Sequence, residues 1–286
     1  MVKIMRNFFR SKSNPSVSEK PTELTSVKVY GERNTGTHFL IQLIKKNFNC
    51  QMIPGTLWEA RPGYRDEFEK ELAAKISDDA KRLWMSQHIM DEYFSGNLWS
   101  TLGWKHAIPP IDLIKSLPAK DEIVFVCVIK NPYSWVLSLF DRPYENFGLS
   151  RPENLIQFLR EPWPTAGRDN APECLESPIE LWRLKVEGYF RLAEVVPSIL
   201  VRYEDLLENP NVLLSKLPDL LEQRYDDFVQ MDEASKLQDK GKKNFAYYKD
   251  YYLNQKWRER LTETDIELVN SYIPSWLFER AGYEKI

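Results

Sequence analysis

Cysteine is scarce in this chain, with three among 286 residues. Cys50, Cys127 and Cys174 are odd in number and far apart, which excludes a disulfide framework and suggests no zinc site. A reducing, cytoplasmic compartment is the expectation. Long hydrophobic runs are lacking too. The longest, Ile123 to Ile129, is far short of the ~20 residues that cross a bilayer, so no transmembrane segment is expected. Lys3, Arg6, Arg10, Lys12 and Lys20 surround Ile4, Met5, Phe8 and Phe9 without the apolar core of a secretion signal. Residues 1–25 therefore read as a flexible basic tail. There is no surplus of one charge either: 39 basic and 42 acidic residues leave −3, so the chain as a whole is no nucleic-acid or polyanion binder.

What is present is enough for a sizeable core, at 43% hydrophobic and 13% aromatic with 28% charged. Val27 to Tyr30 reads as a short strand, and Thr37 to Phe48 as a helix with apolar residues at Phe39, Leu40, Leu43, Ile44 and Phe48. Tyr64 to Met85 has one helical stripe through Phe68, Leu72, Ile76 and Leu83. Glu122 to Ile129 is a nearly continuous apolar run, typical of a strand buried on both faces. Pro132 opens a helix ending near Phe140. Glu161 to Pro178 is a proline-punctuated loop, Ile179 to Val196 a helix, Ile199 to Arg202 a strand and Thr262 to Phe278 a closing helical region. Strands alternating with helices predict a single α/β domain over 26–286, a central parallel β-sheet flanked by helices.

Gly31 to His38 (Gly-Glu-Arg-Asn-Thr-Gly-Thr-His) sits between a strand and a helix with the two-glycine spacing of a P-loop. A nucleotide kinase would carry lysine where Thr37 stands and a hydroxyl where His38 stands, to bridge phosphates and hold Mg²⁺. Both are missing. What remains is an anion cradle of backbone N–H groups around Gly36, a helix N-terminus, the hydroxyls of Thr35 and Thr37, and the Arg33 guanidinium. Such equipment suits a phosphate or sulfate handled without a metal.

Arg33-Asn34-Thr35-Gly36-Thr37 resembles the 5′-phosphosulfate loop of sulfotransferases, whose donor is 3′-phosphoadenosine 5′-phosphosulfate (PAPS). A second segment, Val126 to Pro132 followed by Ser138, is similar to that family's 3′-phosphate element, a strand ending in Arg-Asn-Pro with a serine eight residues after the arginine. Lys130 stands at the arginine position, trading a bidentate fork for a point charge. Val201 to Leu206 looks like the family's Tyr-Glu-Asp-Leu strand end, at Tyr203. The resemblance runs from about Val27 to Tyr283 and implies a P-loop-containing nucleotide-binding fold. It also implies transfer of a sulfuryl group from PAPS to a hydroxyl or amine of a carbohydrate or small-molecule acceptor. Arg33, Asn34, Thr35, Gly36, Thr37, His38, Lys130, Ser138 and Tyr203 are then the donor-binding residues. Asn34 stands where cytosolic members have lysine, with Arg33 beside it as the natural substitute in catalysis. Lys240 to Lys243 is the near candidate for the family's C-terminal basic motif, with Lys242 its donor contact.

Sulfuryl transfer also needs a group to take the acceptor's proton. The chain has three histidines, His38, His88 and His106. His106, in Gly103 to Pro109, resembles the family's Lys-Thr-His-Leu-Pro stretch, where the histidine is the base. Lys105 beside it lowers the imidazole pKa by like-charge repulsion, from an ordinary value near ~6.5. Glu59 is the alternative base. Lys236 to Arg260 is rich in basic residues interleaved with Phe245, Tyr247, Tyr248, Tyr251, Tyr252 and Trp257, a composition that fits a small anion carrying an aromatic ring. Acceptor loops are expected at Gln51 to Tyr64 and Asp141 to Pro178, through Trp58, Tyr64, Tyr144, Phe147 and Trp163. The competing readings are a metal-dependent P-loop nucleotide kinase and a non-catalytic nucleotide-binding module.

Overall fold

Strand β1 (Ser26–Tyr30) lies inside a four-stranded sheet, between β2 (Gln51–Met52) and β3 (Ile123–Ile129), with β4 (Ser198–Arg202) beyond β3. The computed structural model describes residues 24–143, 152–217, 220–231 and 243–286. All three pairings are parallel, with Tyr30 opposite Cys127 and Ile129 opposite Arg202. Parallel strands need crossovers, and these are helical. In chain order the longer helices are α1 (Thr37–Asn47), α2 (Tyr64–Lys75), α3 (Asp79–Gly96) and α4 (Pro132–Asp141). They continue with α5 (Pro178–Ala193), α6 (Phe245–Leu253), α7 (Glu263–Tyr272) and α8 (Ser275–Ala281). The expected single α/β domain with a flanked parallel sheet is what the chain forms.

β3 is apolar on both faces because helices cover both. Phe125, Val126 and Val128 are fully buried, and Trp135 of α4 and Trp182 of α5 pack into the same core. At β1 the pattern breaks, because Lys28 is also fully buried.

Two expected elements are interrupted. The helix expected over Tyr64 to Met85 ends at Lys75, and Asp78 starts a new one by accepting a hydrogen bond from the Lys81 N–H at 2.9 Å. Leu83 consequently leaves the stripe of Phe68 and Leu72 and is 42% exposed. The region Thr262 to Phe278 is likewise two helices, because Pro274 has no N–H with which to continue α7. Among the described residues no helix is long and apolar enough to cross a membrane. The basic tail, Tyr144, Phe147 and Lys242 lie outside the described residues.

Candidate active site

The carboxyl ends of β1, β3 and β4 carry the three motif segments, so the parallel sheet brings them to one edge. Ligands of open α/β sheets bind at that edge. The loop after β1 turns through two left-handed residues, Asn34 at φ 66° and Gly36 at φ 87°. Asparagine tolerates this conformation better than lysine does, which gives a backbone reason for the residue at 34. Gly36 meets a second constraint, since a Cβ there would lie 2.4 Å from Cδ2 of Tyr203. No side chain caps α1 and no acidic residue occupies its first turn. Its positive end is thus turned on the loop without a built-in counter-charge.

The loop side chains divide their work. Thr35 Oγ1 donates to the Glu32 carbonyl oxygen at 2.5 Å, so that hydroxyl braces the turn. Trp135 Nε1 donates to the Arg33 carbonyl oxygen at 2.8 Å and ties the loop to α4. The Arg33 guanidinium lies over the Trp104 ring at 4.9 Å and within 3.4 Å of Glu32. Behind it Lys185, fully buried on α5, bonds Glu32 and also Asp169 at 2.6 Å. Burial opposes the charge of Asp169, but Lys185 and Arg33 overcome it and hold the carboxyl below its usual range. Arg168 covers Trp104 at 4.5 Å and reaches Asp91 at 2.7 Å. The proline-punctuated loop therefore delivers ions to a buried network, and its Trp163 is core rather than a site residue.

His106 is placed by strand β1. Lys28 Nζ donates to the carbonyl oxygens of Thr101 at 2.5 Å and Gly103 at 2.6 Å, and Tyr30 Oη donates to that of Leu102 at 2.5 Å. Three successive carbonyls are held, with Leu102 and Gly103 at positive φ. Next along, the Gly31 N–H donates to the Lys105 carbonyl oxygen at 2.9 Å, and His106 Nδ1 lies 2.5 Å from the Gly31 carbonyl oxygen. A carbonyl oxygen only accepts, so Nδ1 carries the proton and Nε2 keeps its lone pair. Burial pushes the His106 pKa well below the ordinary imidazole value; Lys105 adds to this, as do Arg33 and Lys185, and the bond to Gly31 opposes it. The imidazole is neutral at physiological pH, in one tautomer.

A cavity of about 830 Å³ joins these parts. Arg33, Asn34, Gly36 and Thr37 line it together with Lys105 and His106, and His38 lines it from the start of α1. Trp58, Leu83, Met90 and Phe94 supply its apolar wall. Glu59 does not line this cavity. Lys105 Nζ bonds it at 2.7 Å and the Gly55 N–H at 2.8 Å. Burial works against its charge, yet those two partners hold the carboxyl below its usual range, the wrong direction for a proton acceptor. His88 stacks on Trp84 at 5.5 Å, outside the cavity lining.

Lys130 and Ser138, expected together, touch: Lys130 Nζ donates to Ser138 Oγ at 2.8 Å. The serine lies on α4, whose start is capped by Asn131 Oδ1 accepting from the Tyr133 and Ser134 N–H groups. Tyr203 borders both elements, under Gly36 and 5.6 Å from Lys130 Nζ. A residue that sequence reasoning saw only as part of an aromatic run completes the cluster. Tyr252 of α6 accepts from Lys130 Nζ at 2.7 Å. Burial brings the Lys130 pKa down to about 7 against the attraction of Glu204 and Asp141. Among the described residues no cluster of His, Cys, Asp and Glu is arranged to hold a metal ion.

No protein-family model matches this chain, and no curated protein matches it. Among solved structures, a sulfotransferase domain from the curacin biosynthetic pathway is 11% identical with a TM-score of 0.42, covering 94% of this chain and 100% of that one. Retinol dehydratase in complex with androsterone and the inactive cofactor PAP is 13% identical with a TM-score of 0.36, covering 92% of this chain and 80% of that one. Likeness at this level assigns no residue a role.

Proposed function

We propose that the protein is a PAPS-dependent sulfotransferase acting on a hydroxyl or amine of a small-molecule or carbohydrate acceptor. The observation that carries the reading is one shared cavity: an uncapped glycine loop and a histidine with a free Nε2 line it together. Lys130 and Ser138 at the next strand end support it by offering a second anion contact.

In this reading the 5′-phosphosulfate rests on the N–H groups of Gly36, Thr37 and His38, with the Arg33 guanidinium beside it. The 3′-phosphate goes to Lys130 and Ser138. His106 Nε2 takes the acceptor's proton as the acceptor oxygen bonds to sulfur. The sulfur–oxygen bond to the 5′-phosphate breaks, and adenosine 3′,5′-bisphosphate departs with the electron pair. The loop N–H groups stabilise charge on that leaving oxygen, where fixed donors act most strongly. The buried Glu32–Lys185–Asp169 network holds Arg33 and Trp104 in place and leaves the chemistry to His106.

Titration calorimetry with adenosine 3′,5′-bisphosphate tests the donor half. Binding, with a raised melting temperature, is expected. Single-turnover consumption of PAPS, unchanged by EDTA, tests the transfer half and separates this activity from a metal-dependent kinase. Absence of any heat or thermal shift at millimolar bisphosphate would sink the reading.

A further inference from the structure

Lys130 is 1% exposed, so a phosphate cannot reach it until something moves. Three side chains surround Nζ. Tyr203 presents its ring at 5.6 Å and is wedged beneath Gly36, where no space is spare. Ser138 is a small side chain on α4. Tyr252 both covers the ammonium with its ring, at 3.9 Å, and accepts its hydrogen bond at 2.7 Å. The same hydroxyl is 3.4 Å from Ser138 Oγ. One oxygen thus sits against both groups that a 3′-phosphate would contact.

Tyr252 and Ser138 also line a separate cavity of about 290 Å³, between α4 and the tyrosine-bearing α6. Lys243 and Arg142 line it too, as does Arg260, which is held by Asp141 through bonds of 2.9 and 2.7 Å. Tyr247 stacks on Tyr251 and Tyr248 on Tyr252, giving it aromatic walls. Arg142 lines the main cavity as well, so the two adjoin. A basic, tyrosine-walled cavity ending at the Tyr252 hydroxyl suits an anionic, ring-bearing ligand.

We infer that the Tyr252 hydroxyl holds the place of a phosphate oxygen on Lys130 and Ser138, and that a nucleoside 3′-phosphate enters through this cavity by displacing it. The inference rests on the donor reading given above. Tyr252 is then a specificity residue: a ligand without a 3′-phosphate has nothing to exchange for the bond it would break.

Calorimetry on Tyr252→Phe, which keeps the ring and removes the oxygen, tests this with two nucleotides. Adenosine 3′,5′-bisphosphate should bind about 3- to 10-fold more tightly than to the wild type, the worth of one competing hydrogen bond. Adenosine 5′-monophosphate should bind equally to both proteins, which also verifies that the variant is folded. In a Lys130→Ala background the gain from Tyr252→Phe should vanish. Weaker or unchanged bisphosphate binding by Tyr252→Phe overturns the displacement while leaving the donor reading intact. Failure of the wild type and the variant alike to bind bisphosphate overturns both.

Discussion

His106 and Gly31 are joined by a 2.5 Å contact from ring Nδ1 to backbone carbonyl, across the gap between the loop after β1 and the segment before β3. The contact fixes the tautomer, and it ties the proposed base to the first residue of the proposed phosphate loop. Any shift of one is felt by the other.

His106→Ala should therefore lower kcat by about 10²- to 10⁴-fold, the usual span for a positioned acid–base group. Donor affinity should hardly change. The sequence places the pH limb near the ordinary imidazole value. Burial and the neighbouring cations move it lower, so the wild-type rate with saturating donor should be flat from about pH 6.5 to 8 and fall only in more acid solution. A kcat–pH profile still rising through neutrality would assign the proton to another group.

Lys130→Ala should weaken adenosine 3′,5′-bisphosphate by about 10- to 100-fold, as for a lost charged hydrogen bond, and leave the 5′-monophosphate unmoved. In the ligand-free protein burial pushes the Lys130 pKa down to about 7. A bound phosphate favours the ammonium, so the complex keeps a proton that the free protein gives up above that pH. Bisphosphate affinity should accordingly decline as pH rises beyond 7, by at most about tenfold per unit, and the decline should be absent in Lys130→Ala. Equal pH profiles for the two proteins would contradict this.

Lys28→Met keeps the volume and removes the donors for the Thr101 and Gly103 carbonyls. Leaving buried acceptors unsatisfied should cost about 2–4 kcal/mol in urea melts. The surviving folded protein should show a reduced kcat with near-normal donor affinity, because the freed segment carries Trp104 to His106. Wild-type stability would show that water replaces the lysine without loss.

Gly36→Ala forces a side chain into left-handed backbone, at about 1–2 kcal/mol, and into the Tyr203 ring. Bisphosphate binding and melting temperature should both fall. A variant with normal calorimetric affinity would mean that the loop's shape is unimportant to the donor.

The fold and the principal segments were legible because they rest on local signals. A buried apolar run, a glycine turn between strand and helix, and Asn131-Pro132 at a helix start each report their own neighbourhood. The pairing of Lys130 with Ser138 was implied by the family resemblance, and it lies within one strand–helix unit. What escaped depends on distant contacts. Lys28 in a short strand reads as a solvent-facing charge, and only the approach of residues 101–103 makes it a buried clamp. Tyr252 stood out as part of a basic, aromatic stretch, but nothing local says that its hydroxyl meets Lys130. Glu59 is an alternative base through the family resemblance, and its bond to Lys105 is a long-range fact.

The clamp from β1 onto residues 101–103 has a bearing on how the protein is born. During synthesis β1 emerges before residues 101–103, with a lysine and a phenol whose carbonyl partners are still unmade. Its neighbour β3 comes later again. A nascent chain halted before Thr101 holds β1 without the carbonyl oxygens that Lys28 and Tyr30 bond. Those donors are left to water and the apolar strand is unpaired, the kind of exposed edge that invites aggregation. Such non-local pairing has to overcome chain entropy before it is rewarded, so sheet formation should be the slow step. Because the same strand fastens the segment bearing His106, that segment and the sheet should mature together: recovery of the proposed activity on refolding should follow the time course of the sheet.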